Sequence, residues 1–285
     1  MSEYREKNEI RGGMLYLVAT PIGNLADLSE RAVKVLSEVD LIAAEDTRNS
    51  RRLLAALGIQ KPMVSYHDHN RRERGEELVR HLRSGGSCAL ITDAGTPGIS
   101  DPGEDMVALC AEEDIPVTLI PGACAAINAL VLSGLPTAKF VFEGFLPAKQ
   151  SDRKKVLTAM QNEQKTVIFH EAPHKLRATL TDMCDILGGD RRIALCRELT
   201  KLNEEIIRTT LGGACELYCE KEPRGEYVLV VEGAKSGTSE VFWENMTERE
   251  HVDFYISQGI SKNDAIKAAA KDRGVHKSEI YKLMI

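Results

Sequence analysis

Nowhere in its 285 residues does the chain run apolar for the roughly 18 to 20 positions that a bilayer span requires, and its first residues, MSEYREKNEIRGG, are charged where a signal peptide would be greasy. The expectation is a cytoplasmic protein without a membrane partner. A C-x-x-C pair is also missing. The seven cysteines are odd in number and scattered among apolar neighbours, which argues against a zinc knuckle or a redox dithiol and for reduced thiols in the core. Neither G-x-x-x-x-G-K-[ST] nor G-x-G-x-x-G occurs, so the common ATPase and dinucleotide readings lack their defining residues. Positive charge is not in excess. A net charge of −6 and an isoelectric point near 5.7 argue against a protein that coats nucleic acid nonspecifically, because phosphate affinity comes largely from Lys and Arg. The charge is unevenly spread: residues 261–285 carry six basic side chains against three acidic ones, so the negative balance belongs to the rest of the chain.

What is present is a chain of 43% hydrophobic composition, long enough for two or more domains. Short β-branched runs alternate with helical patterns. MLYLVAT (14–20), DLIAAE (40–45), SCALIT (87–92) and IPVTLI (115–120) are each followed by an amphipathic stretch, which predicts βαβ units around a largely parallel sheet over residues 14–135. After Gly134-Leu135-Pro136 the alternation restarts with FVFEGFLP, TVIFH, RRIALCREL and GEYVLVVEG, predicting a second α/β domain over 136–235. Residues 234–239 are small and polar, like a linker. Beyond them, over 240–285, Ala265, Ile266, Ala269 and Ala270 give one helical face, Gly274 a turn and residues 278–284 another short helix. That spacing fits a helix-turn-helix and equally a docking tail.

Three loops carry the candidate chemistry. DAGTPGISDP (93–102) follows an apolar strand; Gly95 and Gly98 permit positive φ, Pro97 and Pro102 stiffen the turns, and Asp101-Pro102-Gly103 resembles the cap of the next helix. In an open α/β sheet ligands sit outside the carboxyl ends of the strands, so this loop is expected to recognise a ligand through its backbone. The bland alternative is an ordinary Gly/Pro-rich connection. Thr20 to Asn24 and Pro121 to Ala126 exit two other strands, and the three loops are expected to share one rim. His170-Glu171-Ala172-Pro173-His174 is a literal H-E-x-x-H, but a metalloprotease needs both histidines on one helix face. Here a strand runs into His170, and Pro173 biases Ala172 away from helical geometry, so no metal site is expected. Arg197-Glu198-Leu199-Thr200-Lys201 ends another strand. Arg48, Arg51 and Arg52 share a helix face, and His67-Asp68-His69-Asn70 with Arg71, Arg72 and Arg74 forms a second basic, hydrogen-bonding edge. Both clusters suit phosphate contacts, though either alone reads as a solvated face.

Taken in order, LVATPIGNLADLSERA, LIAAEDTR, SYHDHN, DAGTPGISDPG, IPGACAAINAL, FEGFLP, FHEAPHKL, RELTK and RGEYVLVVEG resemble the 16S rRNA cytidine-2'-O-methyltransferases of the tetrapyrrole methylase superfamily, and the resemblance spans about residues 13–285. It implies a pair of α/β domains with S-adenosylmethionine in the cleft between them, held largely by loop backbone without a Rossmann fingerprint, in a homodimer. By position, Pro21, Asp93, Gly95, Thr96, Pro97, Ile99, Ser100 and Ala125 would bind the cofactor, with His170 and Glu171 closing the pocket. The partner would be 16S rRNA, within a small ribosomal subunit or its assembly intermediate, methylated on a cytidine ribose in the decoding region. Arg48, Arg51, Arg52, His69, Arg71, Lys262 and Lys277 are the candidate RNA contacts, and the 240–285 piece is the candidate docking module. Glu198 and Lys201 are the first candidates for the base, then Glu45, Asp46 and His69. Two positions depart from the family pattern: Arg71 stands where an acidic residue is usual, and Lys175 where an arginine is. Two other readings compete, a small-molecule methyltransferase of the same superfamily acting on a tetrapyrrole and a non-catalytic protein that binds RNA or a nucleotide. A zinc hydrolase is a distant third.

Overall fold

The structure is a computed structural model and describes residues 9–234, Trp243 and 246–284. Among the described residues there are ten strands, most of them followed by a helix. The first five strands are β1 (Met14–Val18), β2 (Leu41–Ala44), β3 (Met63–Ser65), β4 (Ser87–Ile91) and β5 (Val117–Ile120). They form a wholly parallel sheet in the order β3–β2–β4–β1–β5. Its helices are α1 (Glu30–Glu38), α2 (Thr47–Ala56), α3 (Arg71–Arg83), α4 (Gly103–Glu112) and α5 (Ala125–Ser133). Parallel strands need crossovers that cover both faces, so their side chains are buried on both sides. Tyr16, Val18, Ile42, Ala89 and Ile91 face Ala32, Val35 and Leu36 of α1, while Leu15, Leu17, Cys88 and Leu90 face Leu78 and Leu82 of α3 and Met106 of α4. The Ser29 hydroxyl starts α1 by accepting from the amide of Ala32 at 3.2 Å.

The second sheet contains β6 (Phe140–Phe145), β7 (Thr166–Glu171), β8 (Arg192–Arg197), β9 (Glu205–Thr210) and β10 (Tyr227–Val231), in the order β6–β7–β10–β8–β9. Only β6 and β7 run parallel; β10 is antiparallel to both of its neighbours. Helices α6 (Gln150–Ala159), α7 (Pro173–Leu187) and α8 (Leu211–Glu220) cover one face over Phe169, Leu195 and Leu229. The other face, with Ile168, Ala194, Val228 and Val230, is covered by Ala126, Ala129 and Leu130 of α5. Thus the helix that leaves the first sheet packs on the second and joins the two. A bulge interrupts β6, whose register against β7 shifts between Phe142 and Gly144.

The α/β fold class follows the expectation, with one difference of detail: the second sheet is mixed. The chain divides into two compact units, residues 1–233 and 234–285. Within the second, α9 (Glu248–Ser257), α10 (Lys262–Arg273) and α11 (Lys277–Leu283) close their own small core of Val252, Ala265, Ile266, Ala269, Ala270 and Ile280. Gly274, expected as a turn, ends α10 at φ 65° in a left-handed cap. Residues 235–239 of the expected linker lie outside the described residues. Among the described residues no helix is long and apolar enough to cross a membrane.

Candidate active site

The carboxyl ends of β1, β4 and β5 carry the three small-residue loops, and hydrogen bonds stitch them to one another. Thr20 and Gly95 exchange backbone bonds of 2.9 and 3.1 Å, and the Thr96 hydroxyl donates to the Ala123 carbonyl at 3.0 Å. They therefore share one rim, as expected. The 93–102 loop is held from inside by Asp101, whose carboxylate accepts from the amides of Gly98, Ile99 and Gly103 at 2.8–3.2 Å. Those amides are spent on the loop itself. What the loop turns toward the second sheet is Ala94. Glu45 braces the loop's start by accepting from the Thr92 hydroxyl at 2.6 Å, and Asn49 of α2 donates to Asp93 at 3.2 Å.

Between this rim and the second sheet lies a cleft of about 400 Å³. Ile22, Ala94 and Ala125 form one wall; Cys196, Tyr227 and Val228 belong to the second sheet; His170, Glu171, Glu198 and Lys201 face in beside them. Strand β7 carries His170 and Glu171 to its end and α7 begins at Pro173, so the two histidines of the H-E-x-x-H string stand on different elements, His174 exposed on the helix. Burial pushes the pKa of His170 below the ordinary 6.5, only partly opposed by the Glu226 carboxylate, which leaves the imidazole neutral at pH 7. Its ring meets those of Phe142 and Phe145 edge-on, at 5.2 and 5.3 Å between centroids, and its Nε2 is buried without a hydrogen-bond partner. Glu171 is already satisfied: its carboxylate accepts from the Thr179 hydroxyl at 2.6 Å and the Ala172 amide at 2.8 Å. It shapes the wall.

The RELTK turn enters the cleft through two residues in the left-handed region, Glu198 at φ 50° and Thr200 at φ 66°. Such strain at a cleft is common where a side chain must be aimed. Lys201 Nζ donates to Glu198 at 2.9 Å and to Glu226 at 2.8 Å, and the Glu226 amide donates to Glu198 at 3.0 Å. The bond from Lys201, then that from the Glu226 amide, hold the Glu198 carboxyl below the ordinary glutamate range. Burial works against the charge of Lys201, but its bonds to Glu226 and Glu198 outweigh this and raise its pKa. The pair is thus an ammonium fixed between carboxylates. The first-sheet loop closes on it: a Cβ at Gly23 would collide with the Lys201 side chain and come 3.0 Å from Thr200 Oγ1. That hydroxyl is itself buried without a partner.

Of the residues expected to bind a cofactor, Ala125, His170 and Glu171 line the cleft, while Pro21, Asp93 and Gly95 adjoin its lining residues Ile22 and Ala94. Thr96 is spent on loop stitching, Pro97 is buried, and Ile99 and Ser100 are exposed at the rim, with Ser100 Oγ 3.5 Å from where a Cβ at Gly144 of β6 would stand. Glu198 and Lys201 are in the cleft; Glu45, Asp46 and His69 do not line it. Arg48, Arg51 and Arg52 are exposed on α2, with Arg48 paired to Asp46 at 2.8 Å yet 84% exposed. Arg51 borders a second hollow of about 430 Å³ with Lys61. His69 is exposed, but Arg71 is tied to Asp105 at 2.5 Å, fastening α3 to α4. Lys262 and Lys277 are exposed at the starts of α10 and α11. Sequence reasoning gave no individual role to Ile22, Ala94, Phe145 and Cys196, which line the cleft. The one usable signal among these was the glycine inside FEGF, since glycine within a strand often marks a bulge.

Residues 14–215 match the family model described as Tetrapyrrole (Corrin/Porphyrin) Methylases. The chain belongs to the tetrapyrrole methylases. Within this family it is 46% identical to the ribosomal RNA small subunit methyltransferase I of Synechocystis, over 96% of this chain and 98% of that protein. It is 47% identical to the protein of the same name from Bacillus subtilis, over 94% and 93%. The tetrapyrrole methylase architecture recurs in solved structures. Uroporphyrin-III C-methyltransferase from Thermus thermophilus, complexed with S-adenyl homocysteine, aligns at TM-score 0.53 and 18% identity over 77% of this chain and 97% of that one. The cobalt precorrin-4 methyltransferase CbiF aligns at 0.56 and 14%, over 77% and 95%.

Proposed function

We propose that this tetrapyrrole methylase uses S-adenosylmethionine to methylate 16S rRNA of the small ribosomal subunit, on the 2'-hydroxyl of a cytidine in the decoding region. The observation that carries this reading is near-full-length similarity to relatives named for small-subunit rRNA methylation, joined to the cleft at the strand ends. The solved structures named for tetrapyrrole chemistry are under 20% identical and argue for the fold alone.

The cleft fits the cofactor. Its volume, about 400 Å³, lies in the range of small-molecule sites, and a buried polar atom of its lining, His170 Nε2, is in want of a partner. Ile22, Ala94, Ala125 and His170 would hold it, with Asp93 and Gly95 behind Ala94. When bound, S-adenosylmethionine supplies a methyl group already activated on a sulfonium, so the protein's task is alignment of the acceptor oxygen. Lys201 serves that task as a fixed cation beside the acceptor oxygen, stabilising the negative charge that develops as the 2'-hydroxyl gives its proton to solvent, and Glu198 positions Lys201. The exposed arginines of α2 and the lysines of α10 and α11 contact phosphates, and the protein acts as a homodimer. Mass-spectrometric mapping of 2'-O-methyl marks in 16S rRNA from cells with and without this gene tests the reading. One cytidine mark should vanish and return when purified protein and cofactor are added to the deficient subunits. An unchanged map refutes it.

A further inference from the structure

We propose that Phe145 is the platform on which the acceptor nucleobase stacks. The inference rests on the reading of the protein as an RNA methyltransferase, and names how that substrate is seated. Phenylalanine is ordinarily a core residue, and the chain has only six. Phe145 nevertheless lines the cleft while 57% exposed, whereas Cys196, another residue of the lining, is 1% exposed. It stands at the mouth.

The backbone is built to put it there. Strand β6 pairs with β7 so that Phe142 stands opposite Ile168, Gly144 opposite Phe169 and Phe145 opposite His170, leaving Glu143 as the extra residue of a bulge. In an unbroken register Gly144 would stand opposite His170 and the ring at 145 would move to the other face of the sheet. The bulge depends on Gly144, at φ 71°, a conformation that a side chain would strain. A bulge that turns an aromatic ring to the cleft and leaves it 57% exposed places that ring for contact more than for burial.

The ring is also braced. His170 meets it at 5.3 Å with an interplanar angle of 79° and meets Phe142 at 5.2 Å, so one imidazole holds both phenylalanine rings edge-on. The imidazole is uncharged, as burial requires. A flat, pre-set apolar surface at the mouth suits a planar group arriving from outside, and sequence-specific RNA enzymes present their target as an unpaired base stacked on such rings. Ile22, Ala94 and Ala125 on the opposite wall, with His170, are left for the cofactor.

The test uses the whole protein and the substitutions Phe145→Ala, Phe145→Leu and Phe145→Trp. Leucine keeps apolar volume without a π-face, so it separates stacking from packing, and thermal melts check folding. Three quantities are read: S-adenosylhomocysteine affinity by calorimetry, fluorescence quenching of 2-aminopurine in a single-stranded RNA octamer, and KM and kcat on subunits lacking the mark. Alanine and leucine are expected to raise KM roughly 10- to 100-fold and to abolish quenching, tryptophan to preserve both, and S-adenosylhomocysteine affinity to stay unchanged throughout. A leucine variant that performs like the parent overturns the proposal, as does a loss of S-adenosylhomocysteine affinity with RNA binding intact, which would assign the ring to the cofactor's adenine. Quenching that depends on Phe145 in a protein with no transferase activity would refute the enzymatic reading while sparing the stacking site.

Discussion

At the scale of single residues, the cleft is governed by charges that cannot move freely. Lys201 is pinned between Glu198 and Glu226, so its value lies in a fixed positive charge. Lys201→Met should lower kcat on ribosomal substrate by about 10²–10³-fold with little change in S-adenosylhomocysteine affinity, and Lys201→Arg should recover part of it. If Glu198→Ala and Lys201→Met both retain normal turnover, the RELTK turn has no part in the chemistry. The titration behaviour follows from the same contacts. A histidine whose folded pKa is depressed, as that of His170 is, contributes stability above the ordinary 6.5 and loses it as pH falls, because the unfolded chain takes the proton first. Glu198, also depressed, loses its contribution only on further acidification below the ordinary 4.5, and Lys201, raised, loses its own only above the ordinary 10.5. Melting temperatures measured at pH 7 and pH 5 should therefore fall in the parent by more than in a His170→Phe variant.

At the scale of elements, α6 is fastened to α7 by a buried ion pair. Arg153 reaches Asp182 with Nη2 at 2.6 Å and Nε at 2.8 Å, and Gln150 donates to the other carboxylate oxygen at 3.0 Å. Asp182→Ala leaves a buried guanidinium uncompensated and should cost about 3–5 kcal/mol in a denaturant melt, while the double change to Arg153→Met and Asp182→Leu should recover much of it. This pair was not visible in the sequence, because which charges meet is decided by the tertiary path. Strong strands were legible: β1, β2, β4 and β5 are apolar runs between turn signals from which the first sheet followed, and β6, β7, β8 and β10 gave the second. Two strands escaped. β3 has three residues, and β9, EIIRTT, is an edge strand with polar residues among its apolar ones, so neither has the period that marks a buried strand. The loop rim was legible from glycine and proline. The closed state of its amides was not, since Asp101 reads equally well as a helix cap.

At the scale of the molecule, each compact unit has its own apolar core, so the helical unit should be separable. Removing residues 240–285 is expected to leave S-adenosylhomocysteine affinity within about twofold and to lower methylation of small subunits at least tenfold, as calorimetry and radiolabel transfer would show. Strand order in the second sheet has a consequence for biosynthesis. The strand at its centre, β10, is the last one made, and β7 and β8 meet only through it. While the nascent chain is shorter than about 231 residues, each of these apolar strands has one open hydrogen-bonding edge, the condition under which chains adhere to one another. A message ending at codon 225 should yield insoluble protein that holdase chaperones retain, whereas one ending at codon 234 should be released soluble.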